Sequence, residues 1–243
     1  MLNPVSPWTG LGRQVCRAGA SLCVLGALLG STGSMAQTAP ASQAQVQLQE
    51  TAASSAAAQD LARFAQHHQK VHADALPKGF PLAVDSVADL ARLRLGRGFA
   101  VYTVDPADIT SGSDLSSAAK PTGQWRFVVR LGSRPVGLVT VDQVKGQWQA
   151  VSYGGAGLAE DVDAKMRQHG TPDRSNLRFV RIFQAHSDFL EVVSPADGHA
   201  RLAPLVSARV SLGMPALDQL LEQGDVLPSL RAAVAANVAD FQP

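Results

Sequence analysis

The stretch from Trp125 to Tyr153 admits few folds. Trp125, Phe127, Val129 and Leu131 alternate with Arg126, Val128 and Arg130, the period of two that a strand with one buried face requires. Gly132-Ser133-Arg134 then makes a turn, Val136 to Val141 a second strand, Lys145-Gly146 a second turn, and Gln147 to Tyr153 a third strand. Runs this short, separated by turns this tight, predict a three-strand antiparallel meander. Its apolar side needs a cover from elsewhere in the chain.

The flanking sequence offers several covers. Leu61, Phe64, His68, Val71 and Ala75 trace a helical stripe, predicting a long helix over about 45–75, which Leu76-Pro77-Lys78-Gly79-Phe80-Pro81 ends. A second helix is predicted from Ser86 to Leu95, with Gly96 as its stop, and a strand from Gly98 to Val104. The polar stretch 105–123 reads as a long surface loop. Gly154-Gly155-Ala156-Gly157 turns into a helix over Leu158–Gln168, whose early acids Glu160, Asp161 and Asp163 suit the positive end of the helix dipole. Strands are predicted at Leu177–Gln184, Phe189–Val193 and Ala200–Val210. Helices follow at Ala216–Gln223 and Leu227–Phe241, with Pro228 in the first turn of the second.

The order of these elements, a helix with four strands and then a helix with three, predicts an α+β fold. In it an antiparallel sheet carries helices on one face, arranged as two tandem helix-on-sheet units with a long N-terminal helix and C-terminal helices. The expected divisions are 1–36, 37–80 (tether and long helix), 81–212 (the α+β domain) and 213–243 (a helical tail).

Residues 1–36 contain no acid, and Arg13 and Arg17 precede an apolar run from Ala18 to Gly30. That run suits a signal peptide and is short for a membrane span. Ser34-Met35-Ala36 places small side chains at the cleavage positions, so cleavage before Gln37 and a periplasmic or secreted protein are expected. Leu22 before Cys23, inside a continuing apolar run, argues against lipidation. Cys16 and Cys23 leave with the signal, which excludes a thiol enzyme or a Cys-ligated zinc protein. No stable membrane span is expected after cleavage. With 21 Lys and Arg against 20 Asp and Glu, nothing electrostatic points to nucleic acid.

Few side chains assemble into chemistry. His68 and His72 stand four apart, so both imidazoles could reach one metal on a helix, though zinc needs a third protein ligand. Gly154-Gly155-Ala156-Gly157 lacks the Lys-Ser/Thr of a phosphate loop, and the reading calls for no cofactor. Ser117-Ala118-Ala119-Lys120 matches Ser-x-x-Lys, but Pro121 disfavours the helical turn that chemistry needs. Arg126 and Arg130 share a strand face and could meet an anionic ligand or acidic partner. Arg178 and Arg181 lie on a later strand with opposite facing, so one of them could join that patch. Trp125 and Trp148 could form a stacking platform for a sugar or peptide, or pack beneath a helix.

A helix before a curled meander, with Trp125-Arg126-Phe127-Val128-Val129, Pro135-Val136-Gly137 and Gly146-Gln147-Trp148, resembles the cystatin-like or PepSY-like modules of exported bacterial proteins. The resemblance implies a module that binds or restrains proteases, although a Gln-x-Val-x-Gly loop is absent. The expected function is a non-catalytic binding module with a protein or peptide partner, engaged through a sheet edge, the 105–123 loop or the terminal helices. A small hydrolase with a scattered site and a carrier of small anions are the alternatives. The oligomeric state is left open.

Overall fold

The meander is present in the computed structural model, which describes residues 43–215 and 219–239, and it forms one wing of a larger sheet. The expected export signal, with Cys16 and Cys23, lies outside the described residues. Helix α1 (Gln43–Val71) precedes a 3-10 turn (Val87–Arg92) and strand β1 (Leu93–Thr103). Two short helices follow, α2 (Pro106–Ser111) and α3 (Leu115–Ala118), then the meander β2 (Lys120–Leu131), β3 (Arg134–Val144) and β4 (Gln147–Gly154). Helix α4 (Ala156–His169) leads to β5 (Leu177–Ile182), β6 (Ser187–Val193), β7 (Ala200–Pro204), α5 (Val206–Ser211) and α6 (Gln223–Ala239).

The seven strands run in the order β4-β3-β2-β1-β5-β6-β7. Every neighbouring pair is antiparallel except β1 and β5, joined in parallel at Val101 with Phe179 and Tyr102 with Val180. The architecture is α+β, and the two expected helix-on-sheet units share a single sheet through this parallel seam.

Helices cover both faces of the sheet rather than one, because the strands are apolar on both sides. Trp125, Phe127, Val129, Val139 and Val141 pack beneath Ala53, Ala57, Leu61 and Ala65 of α1. The small alanines let that helix lie close to the strands. On the opposite side Val128, Leu138, Phe179 and Leu190 meet Ala159, Val162 and Met166 of α4. A third cluster sets Val180, Ile182 and Phe189 against Ile109 of α2 and Val226, Leu230 and Val234 of α6. Glycine is required at Gly98, where a Cβ would stand 2.3 Å from the Phe127 ring.

Four segments depart from the expected elements. Ser86 does cap a helix, accepting from the Asp89 N–H while Asp89 accepts in return. That helix is only the 3-10 turn, because Leu93 already pairs with Leu131 in the sheet. The 105–123 stretch is α2, α3 and the start of β2, not a loop. Its helices are 6 and 4 residues long, too short for an apolar stripe to show. Ala200–Val210 leaves the sheet at Pro204, and Val206 starts α5 with its N–H on Asp161 Oδ2 at 2.6 Å. At the C-terminus, Leu221 is extended and exchanges two backbone hydrogen bonds with Leu202, at 2.8 and 2.9 Å. Helix α6 therefore starts at Gln223, which puts Pro228 inside it rather than in its first turn. Ala216, Leu217 and Asp218 lie outside the described residues.

Candidate functional site

The two rims of the sheet differ. At β7 the outer rim is bridged by Leu221, so an added strand finds partners already engaged. At β4 no strand among the described residues lies outside, and Gln147-Trp148-Gln149-Ala150-Val151-Ser152-Tyr153-Gly154 carries no charge. Val151 is an extra residue between the pairs Ala150 with Val141 and Ser152 with Thr140, a bulge that leaves its side chain 48% exposed.

Helix α1 borders this rim. The Ala150 N–H donates to Asp60 Oδ2 at 2.7 Å, and Asp60 is in turn paired with Arg63. The carboxylate thus stands where the carbonyl of an added strand would accept. Gln59, Asp60, Arg63, Gln147, Gln149 and Tyr153 line a groove of about 700 Å³ between helix and strand. Tyr153 stacks on Phe64 with centroids 4.2 Å apart. Burial, then the nearby Asp60 charge, push its phenol up to about 12. Trp148 closes the groove and packs partly into the α1 cluster. Trp125 is 5% exposed inside that cluster, stacked on Phe127, so the two tryptophans join the packing beneath α1.

The four arginines singled out in the sequence all find carboxylates. On the α4 side, Arg181 binds both oxygens of Asp188 at 3.1 and 3.2 Å, with Arg126 4.0 Å away over the Phe179 ring. Asp188 is 1% exposed and also accepts from the Ser207 hydroxyl at 2.7 Å. Arg126 has an orphaned Nε, and burial, only partly offset by Asp188, lowers its pKa. Arg130 pairs with buried Asp163, which also receives Arg167. On the other face Arg178 donates to Glu191 Oε2 at 2.5 Å and to the Ser116 carbonyl at 2.6 Å.

Arg178 and Glu191 line a second cleft of about 530 Å³, with Tyr102, Asp114, Ser116 and Asn176. Its acid and base are already charge-paired, and Asp114 caps α3 by accepting from the Ser117 N–H. Lys120, the end of the Ser-x-x-Lys match, lies in extended β2 and pairs with Asp105 at 2.5 Å. Asp188 and Glu191, close in sequence, project from opposite faces of β6.

His68 and His72 do come together, their rings stacked 5.3 Å apart with His67 at 5.2 Å from His68. His68 also touches Phe64 at 4.4 Å and Phe80 at 5.1 Å, and its Nδ1 is buried without a partner. Burial, then the two neighbouring histidines, lower its pKa. Among the described residues no group of three His, Cys, Asp or Glu is placed to hold a metal, and no helix is long and apolar enough to cross a membrane. Comparison with protein-family models, curated proteins and solved structures finds no match to this chain.

Sequence reasoning missed Asp60, a largely shielded carboxylate on a helix ninety positions from the amide it binds. It also missed Arg167, which shares the Asp163 carboxylate with Arg130. No local pattern marks either arrangement.

Proposed function

We propose that the protein is an exported, non-catalytic module that binds another protein or a peptide by strand addition along β4, an accessory or inhibitor-like role. The supporting observation is the contrast between the rims. Natural edge strands are blunted by charge, proline, bulges or covers. β7 is covered by Leu221, whereas β4 has an uncharged strand, one bulge and one removable plug, Asp60. An extended segment entering there would offer a carbonyl to the Ala150 N–H and lay alternate side chains into the polar groove. Residues 1–36 support export in the same proposal.

The test is affinity capture with the chain from Gln37 to Pro243 from periplasmic and culture extracts, alongside Val151→Lys and Gln149→Pro, with partners identified by mass spectrometry. One dominant partner lost in both variants, with circular dichroism unchanged, is the expected result. A partner retained by both variants, or none above background at physiological salt, rejects the β4 reading.

A further inference from the structure

A second surface, independent of the β4 rim, lies in the other wing of the sheet, where α3 and the loop before β5 meet β5 and β6. The cleft of about 530 Å³ found there has a neighbour of about 280 Å³, and Asp114, Ser116 and Glu191 line both. The Glu191 side chain is only 3% exposed. Three hydrogen bonds fix Arg178 beside it. Its Nε donates to Glu191 Oε2 at 2.5 Å, and its Nη2 to the Ser116 carbonyl at 2.6 Å and hydroxyl at 3.1 Å. The same guanidinium lies over the Tyr102 ring, 5.2 Å from its centroid.

These contacts use only part of each group. Asp114 Oδ1 accepts from the Ser117 N–H. Among the described residues no hydrogen bond engages Arg178 Nη1, Glu191 Oε1 or Asp114 Oδ2. One cationic donor and two anionic acceptors thus stay open on residues that line one cleft. A buried ion pair is a poor source of stability, since desolvation offsets its attraction. A few fixed polar groups in a concavity are instead what orients a small ligand. Glu222, on the lining of the neighbouring cavity, is matched by Arg201 at 2.7 Å. With that pair set aside, Asp114 and Glu191 outnumber Arg178 by one negative charge.

We propose that this cleft binds a free basic amino acid, such as lysine or arginine. Its α-carboxylate meets the open end of the Arg178 guanidinium, and its α-ammonium donates to Glu191 and Asp114, each a charge-assisted contact. The side-chain cation enters the neighbouring cavity on the Glu222 side and offsets the excess negative charge. The larger cavity falls within the range of about 300–1,000 Å³ that holds small ligands.

The experiment is calorimetric titration of the chain from Gln37 to Pro243 with L-lysine, L-arginine, L-glutamate and cadaverine, which is lysine without its carboxylate. Saturable binding of lysine or arginine is expected, with glutamate and cadaverine each weaker by about tenfold or more, the scale of a lost hydrogen bond to a charged group. Asp114→Asn removes a charge but keeps a good helix cap, so it is expected to melt like wild type and to bind lysine about tenfold more weakly. Glu191→Gln, checked for retained fold by circular dichroism, weakens binding in the same direction. No saturable binding of either basic amino acid, cadaverine or glutamate bound as tightly as lysine, or a folded Asp114→Asn that binds like wild type would overturn the assignment.

Discussion

His68 shows how one side chain ties stability to pH. It is packed between Phe64 and Phe80 with an unpartnered Nδ1, and its pKa lies below the ordinary 6.5 chiefly because of burial. The folded protein thus prefers the neutral ring, and its stabilisation is complete above the unfolded value. As pH falls through 6.5, the unfolded chain gains a proton that the folded one resists until its own lower pKa, so stability declines across that window. His169, also lowered by burial, contributes with the same sign. Replacing His68→Leu should flatten the decline, measured as urea midpoints at about pH 7.5 and about pH 5.5; an unchanged slope would move its origin to other groups. The buried ion cluster makes a second residue-scale prediction. Asp188→Asn leaves Arg126 and Arg181 facing a neutral amide and should cost about 3–5 kcal/mol, the range for breaking a buried pair. Arg126→Met, which removes a cation with an orphaned Nε and keeps the contact with Phe179, should cost far less. Equal losses in the two variants would refute this account.

At the scale of elements, Asp60 and Gly98 decide how α1 and β1 sit. Asp60→Ala removes the carboxylate from the Ala150 N–H and should cost about 1 kcal/mol while opening the β4 rim. Stronger partner binding or self-association by light scattering is the expected sign of an opened rim, and a monomer with unchanged binding would count against the plug. Gly98→Ala would drive a methyl into the Phe127 ring, which is 1% exposed. A loss of about 1–3 kcal/mol is expected from such overpacking, read from denaturant melts. The meander was legible in the sequence because alternation and tight turns are local signals. The α2 and α3 helices were not, since each buries a single large apolar residue, Ile109 and Leu115. The break at Pro204 was hidden because what converts the next residues into α5 is Asp161 of α4, more than forty positions earlier. For the same reason the alternation of Arg126 and Arg130 revealed a shared face, but the carboxylates that pair with them, Asp188 and Asp163, did not show.

At the scale of the whole molecule, the two wings have separate clusters under α1 and under α2 with α6, and one cluster in common around Phe179. Phe179 touches Phe99 of the other wing at 4.8 Å and carries the Arg126 guanidinium above its ring at 5.4 Å. Phe179→Ala should cost about 3–5 kcal/mol, and calorimetry should show whether the wings still melt together. A single transition for wild type that divides into two for the variant is expected; two transitions in wild type would mean that the common cluster does not couple them. The parallel seam also sets a clock. Within each wing the strands pair with near neighbours in the chain, but closing Val101 onto Phe179 brings together distant residues across an entire meander and a helix. Such closures are slow, because entropy is lost before contacts are gained. Contact order therefore predicts that the meander forms early and the seam late, leaving a newly made chain incompletely locked in the interval. For a protein proposed to be exported, a late last pairing means that the two wings are joined into one sheet only after each has its own core.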